Sequence, residues 1–140
     1  MPQHTNQKRR ARRPWVLVVD SDEATRASII TCVQLAACQA EGADEGTAAA
    51  KLTAEDYELV IWGLSAPAAR LPEALTNIGR LRSPPLILLG EDGSELEQAG
   101  LQLAAAQMLP TPFMPSLLVG AIKAALHRVP SRIAPFPAPV

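Results

Sequence analysis

The sequence predicts a doubly wound α/β fold: a five-stranded parallel sheet with helices on both faces. Three observations carry this. Short apolar runs at Trp15 to Val19, Leu59 to Leu64, Leu86 to Leu89 and Gln107 to Leu109 recur along the chain. Helix-like patterns separate them, the alternation expected of parallel βαβ units. The first three runs are apolar throughout instead of alternating, as befits strands buried on both faces.

The elements follow in order. Trp15 to Val19 is the first strand and ends at Asp20. Asp22 to about Ala37 is a helix with Ala27, Ile30, Val33 and Ala37 on one stripe, widened by Ile29 and Cys32. Cys38 to Ala40 is a weak second strand, and Thr47 to Leu52 a short Ala-rich helix. Leu59 to Leu64 is the third strand, with Pro67 closing the loop behind it. Pro72 suits the first turn of a helix carrying Leu75, Ile78 and Leu81. Pro84 and Pro85 stop it before the fourth strand, Leu86 to Leu89. Ser94 with Glu97 forms a capping box that opens a helix carrying Leu96 and Leu103. Gln107 to Leu109 is the last strand. Pro112, Phe113 and Pro115 lead into a final helix ending near Val129, which makes five strands and five helices.

Composition narrows the function classes. The 140 residues are 48% hydrophobic and 19% charged, which suits one folded domain. The formal net charge of −1 hides an asymmetry. Five basic residues (Lys8, Arg9, Arg10, Arg12, Arg13) precede Trp15, whereas residues 15–129 hold seven Lys plus Arg against all 14 Asp plus Glu. Residues 1–14 are expected to be a disordered basic arm, 15–129 the folded domain, and 130–140 a Pro-rich tail unable to form a helix. No apolar run reaches the roughly 18–20 residues of a membrane span. The basic N-terminus lacks the apolar stretch of a secretory signal. Cys32 and Cys38 match no disulfide, zinc or redox pattern and read as small apolar filler, which suggests a cytoplasmic setting. No metal site and no cofactor are expected.

In an open parallel sheet, ligands bind beyond the carboxyl ends of the strands. Those ends carry Asp20, Ser21, Asp22 and Glu23; Gly63, Leu64 and Ser65; Gly90, Glu91 and Asp92; and Pro110, Thr111 and Pro112. Val18-Val19-Asp20-Ser21-Asp22-Glu23 with Arg26, Asp56 through Pro67, Pro85 through Leu89, and Leu109 through Phe113 occur in the order and at the spacing of a known family. Over residues 15–129 the chain resembles the receiver domain of bacterial response regulators. The resemblance implies strand order 2-1-3-4-5. It also implies an acidic pair for Mg²⁺, an Asp that takes a phosphoryl group, a Thr or Ser that senses it and a Lys that pairs with it.

This chain departs from that set at most positions. Asp20 remains of the acidic pair, with Ser21 beside it. Gly63 stands at the acceptor position, Gly90 at the hydroxyl and Thr111 at the lysine. Phosphotransfer at the usual site is not expected, and Asp20, Ser21, Asp22, Gly63, Gly90 and Thr111 read as a vestigial acidic pocket. Within the family, Trp62-Gly63, Leu86 through Glu91 and Met108 through Pro112 resemble the degenerate N-terminal domain of the flagellar regulator FleQ and its relatives. Full regulators of that type continue into an ATPase domain, and no G-x-x-x-x-G-K-S/T phosphate loop occurs in these 140 residues.

The bland readings stand beside these. Asp20 is a vestigial metal ligand or a polar strand end that helps cap the next helix. Gly63 and Gly90 admit a ligand or merely relax their turns. Trp62 reads as core. No catalytic residue is identified, because no nucleophile has a nameable base beside it.

On the final helix, Ser116, Gly120, Lys123 and His127 form one polar stripe. Leu118, Ile122 and Ala125 are expected to cover the sheet, which leaves Leu117, Ala121 and Ala124 as surplus apolar surface. With Leu96 and Leu103 they form a candidate interaction surface for a protein partner or a second copy. A non-enzymatic regulatory interaction module is the favoured function. The alternatives are small-molecule sensing, for instance of a nucleotide, in the eroded pocket, and weak non-specific nucleic-acid contact through Lys8 to Arg13.

Overall fold

A computed structural model describes residues 13–64, 84–91, 97–98 and 105–133. Five strands form one sheet: β1 (Trp15–Val19), β2 (Gln39–Ala43), β3 (Leu59–Gly63), β4 (Leu86–Gly90) and β5 (Gln107–Pro110). Their order is β2-β1-β3-β4-β5 and every pairing is parallel, as expected. Three helices lie among the described residues: α1 (Glu23–Leu35), α2 (Glu45–Ala54) and α3 (Pro115–Ile133).

Strand period two divides the core into two layers. Val16 and Val18, Leu59 and Ile61, and Ile87 and Leu89 face α1 and α3, where Ile29, Val33, Leu118 and Ile122 meet them. Leu17 and Val19, Val60 and Trp62, and Leu86 and Leu88 face the opposite layer with Ala48 and Leu52 of α2. All three central strands are thus buried on both sides, which explains their unbroken apolar runs. Removing one such side chain, as in Ile61→Ala, costs roughly 2–5 kcal/mol.

Several expectations change in detail. The buried stripe of α1 is Ile29, Cys32, Val33 and Ala36, whereas Ala27 is exposed and Ile30 only partly buried. The helix stops at Leu35, and Ala37 turns out of it with φ +65°. The expected stripe depended on two alanines with little area to bury, and the core selects the bulkier face. Ile30 and Arg26 instead flank β2, close over Gly42, where an added Cβ would lie 3.2 Å from each side chain.

β2 runs to Ala43, well past Ala40, although QAEGA is a poor strand sequence. Pairing with β1 from Trp15↔Gln39 to Val19↔Ala43 imposes it. α2 starts earlier than Thr47, because Asp44 caps it by accepting the Thr47 N–H at 3.0 Å. α3 continues through Pro130 to Ile133, past the expected end at Val129 and into the first four residues of the tail expected to be helix-free; residues 134–140 lie outside the described residues. A proline φ near −65° is compatible with helix and forfeits one hydrogen bond there. Pro14, assigned to the arm, already accepts the Gln39 N–H at 2.8 Å. Residues 1–12, the helix expected from Pro72, and the helix opening at Ser94 apart from Glu97 and Gln98 lie outside the described residues.

A polar network ties β2 to α2 and to the approach to β3. Glu41 accepts from Lys51 Nζ at 2.6 Å and from the Tyr57 hydroxyl at 3.1 Å. Tyr57 packs edge-on against Trp15 with ring centroids 6.2 Å apart. Burial, reinforced by the Glu41 carboxylate, pushes the Tyr57 phenol above its ordinary value of 10.0. The folded phenol therefore keeps its proton where the unfolded one loses it. This contribution to stability is complete below pH 10.0 and is lost as pH rises above it. Tyr57→Phe is expected to cost about 1 kcal/mol at pH 7 and to flatten the alkaline fall, as denaturant titrations at pH 7 to 11 would show.

Candidate functional site

The carboxyl ends of β1, β3, β4 and β5 surround an open cavity of about 800 Å³. Asp20, Asp22, Thr25, Ser28, Gly63, Leu64, Leu89, Gly90, Glu91, Thr111, Pro112, Phe113 and Pro115 line it. Five of the six pocket residues expected from sequence are therefore brought together. Ser21 is the exception: it is exposed and does not line the cavity.

Asp20 is the buried acid, 2% exposed. Its Oδ1 accepts the Asp22 N–H at 2.9 Å and its carbonyl accepts from Arg26 Nη1 at 2.6 Å. Its own N–H donates to the Ala43 carbonyl at 3.1 Å. The carboxylate projects across the sheet toward β3. A Cβ added at Gly63 would overlap Asp20 Oδ2 and lie 2.8 Å from its Cγ.

Asp22 does different work. It is the N-cap of α1, and its Oδ2 accepts from the Thr25 N–H at 2.9 Å and from the Thr25 hydroxyl at 2.6 Å. These bonds hold its carboxyl below the ordinary 3.8. The capping role weighed for Asp20 thus falls chiefly to Asp22, and Asp20 steadies the turn that leads into it.

Gly90 ends β4, and its carbonyl accepts the Thr111 N–H at 2.8 Å. Thr111 precedes a cis peptide to Pro112. Thr25 and Ser28 were not singled out from sequence, though their spacing from Asp22 puts all three on one face of α1. Phe113, Leu64 and Leu89 add an apolar wall.

The lining contains Asp20, Asp22 and Glu91 and no Lys, Arg or His among the described residues. Among the described lining residues, a phosphate-bearing ligand would meet three carboxylates and no cation. Among the described residues, no group of three or more His, Cys, Asp or Glu is arranged to hold a metal ion. Cys32 and Cys38 are buried in the α1 layer, where desolvation raises both thiols. They behave as the apolar filler expected of them.

On α3, Leu118, Ile122 and Ala125 are buried against the sheet as expected, and Ser116, Gly120, Lys123 and His127 are exposed. Leu117 is 55% exposed and Ala124 partly so. Ala121 is a correction: at 7% exposure it belongs to the core layer, beside Ile122 and Ala125, and presents no surface. Its small side chain lets α3 approach closely enough to bury it. Leu96 and Leu103 lie outside the described residues. Met108 on β5 and Met114, three residues before Leu117, were not singled out from sequence and are exposed.

No family model matches the chain. It is similar to the transcriptional regulatory protein CpxR homolog of Haemophilus influenzae, 31% identical over 114 residues covering 81% of this chain and 50% of that protein. CpxR of Escherichia coli K12 is 28% identical over 81% of this chain and 49% of its own length. The chain thus spans about half the length of the curated relatives it matches. The signal receiver domain of an HD domain-containing protein from Pseudomonas fluorescens Pf-5 superposes with a TM-score of 0.74 at 25% identity, covering 88% of this chain and 93% of that one. The chain folds as a response-regulator receiver domain. The chemotaxis response regulator CheY4 of Vibrio cholerae shares this fold, with a TM-score of 0.71 at 23% identity over 81% of this chain and 99% of that one. No helix among the described residues is long and apolar enough to cross a membrane.

The depressed Asp22 carboxyl gives a pH test of the α1 cap. A group lowered on folding stabilises above its unfolded value and loses that contribution as pH falls through it. Asp22→Ala is expected to lower the Tm by roughly 2–6 °C at pH 7. The gap from wild type should close below pH 3.8, which thermal unfolding across an acid series would reveal.

Proposed function

We propose that this receiver domain is a non-enzymatic regulatory module that takes no phosphoryl group at the end of β3 and acts by protein–protein contact. The observation that carries this reading is the state of position 63. Gly63 offers no nucleophile, and the space a side chain would need there is filled by Asp20. Gly90 lacks the hydroxyl, and Thr111 the cation, that the family carries at these positions to meet a phosphoryl group.

The output of such a module is a fixed surface. Met114 and Leu117 are 60% and 55% exposed, and Met108 lies on β5, which pairs only with β4 among the described residues. A flexible methionine three residues before an exposed leucine gives an adaptable apolar contact, suited to a second copy or a regulator. The similarity to transcriptional regulatory proteins supports a role in transcriptional control. The likeness of Trp62-Gly63 and Leu86 through Glu91 to FleQ points toward its motility branch, in a cytoplasmic setting. The acidic lining disfavours the nucleotide-sensing alternative. Nucleic-acid contact by Lys8 to Arg13 would be non-specific and salt-sensitive, and deleting residues 1–13 is its direct test.

Two measurements check the reading. Acetyl phosphate with Mg²⁺ should leave the wild-type protein unlabelled by mass spectrometry; stoichiometric, base-labile labelling would refute it. Sedimentation over a micromolar range should show self-association that Leu117→Asp or Met114→Asp weakens at least tenfold. A strict monomer that also captures no regulator would remove the interaction role.

A further inference from the structure

One volume at the end of β3 has two claimants. An added Cβ at Gly63 would overlap the Asp20 carboxylate, and the 2.8 Å to Asp20 Cγ is far inside non-bonded carbon contact. Its Oδ1 holds the carboxylate to the Asp22 N–H, while the backbone of residue 20 is fixed by its carbonyl to Arg26 and by its N–H to Ala43. Those bonds reach the cap of α1, the first turn of α1 and the end of β2. To clear position 63 the carboxylate has to rotate into the cavity it lines and give up the Asp22 N–H.

We infer that Asp20, supplied by β1, reaches into the place of the side chain that a receiver carries at the end of β3, so that this Asp20 conformation, with its bond to the Asp22 N–H, and any side chain at 63 exclude one another. This rests on the reading above that position 63 takes no phosphoryl group. The absence of an acceptor at 63 and the anchoring of Asp20 are then one coupled change and not two independent losses. The sheet end is held in a single arrangement by an acid of its own chain. A lone Gly63→Asp substitution does not rebuild a receiver site, because the new side chain must first move the Asp20 carboxylate off the Asp22 N–H.

A thermal-unfolding cycle of wild type, Gly63→Ala, Asp20→Ala and the double variant tests this. Cutting Asp20 back to alanine leaves only its Cβ, 3.5 Å from the added methyl, an ordinary contact. Gly63→Ala alone is expected to lower the Tm by roughly 5–10 °C, as overpacking does. In the Asp20→Ala background the same change should cost less than about 2 °C. Equal losses in both backgrounds overturn the inference. Should Gly63→Ala fail to fold, a folded double variant supports the coupling, and an unfolded one beside a folded Asp20→Ala overturns it. Asp20→Ser, which keeps an oxygen for the Asp22 N–H, repeats the cycle with the turn bond retained and should give the same sign. Labelling of wild type would sink the phosphorylation-independent reading while leaving the coupling intact, and additive losses would do the reverse.

Discussion

Burial of β1, β3 and β4 on both faces is the constraint from which the rest of this molecule follows. With Val16, Val18, Ile61 and Leu89 committed to one layer and Leu17, Val19, Trp62 and Leu88 to the other, no side chain in the strand bodies reaches solvent. Polar chemistry is displaced to the carboxyl ends, where each strand gives way to a turn. Asp20, Gly63, Gly90 and Thr111 meet there because the register of the four strands ends together: Gly63 pairs with Leu89, and Gly90 with Pro110.

At that end the acids of the first turn have structural duties. Asp22 caps a helix, and Asp20 fills the space beside Gly63 while holding the Asp22 N–H. Two glycines at the strand ends leave the cavity roomy, and the charges of its described lining are carboxylates.

Much of this was legible in the sequence. Continuous runs of β-branched and leucine residues disclosed β1, β3 and β4, and the turns after them disclosed Asp20, Asp22, Gly63, Gly90 and Thr111. What was not legible depended on neighbours. β2 has almost no apolar signal and exists through pairing with β1. The face of α1 could not be chosen while alanines counted equally with isoleucine. Ala121 looked like spare surface because helical periodicity alone cannot tell how closely α3 approaches the sheet. Most consequential, composition showed that Gly63 lacks a side chain but not that Asp20 stands in its place; that is a fact of three dimensions. Met108 and Met114 were overlooked for the same reason, since their exposure depends on which way β5 and the turn before α3 face.

Trp62 turns the two-layer core to another use. Its indole is wholly buried, and its Nε1 has no hydrogen-bond partner among the described residues. An indole in such apolar surroundings emits at short wavelength, and only Trp15, half-buried at the far end of β1, shares its optical window. Trp62 adjoins Gly63 in the chain, so the protein carries its own fluorophore beside the carboxyl end of the sheet, and a loosening of that end can be followed by light without any added label.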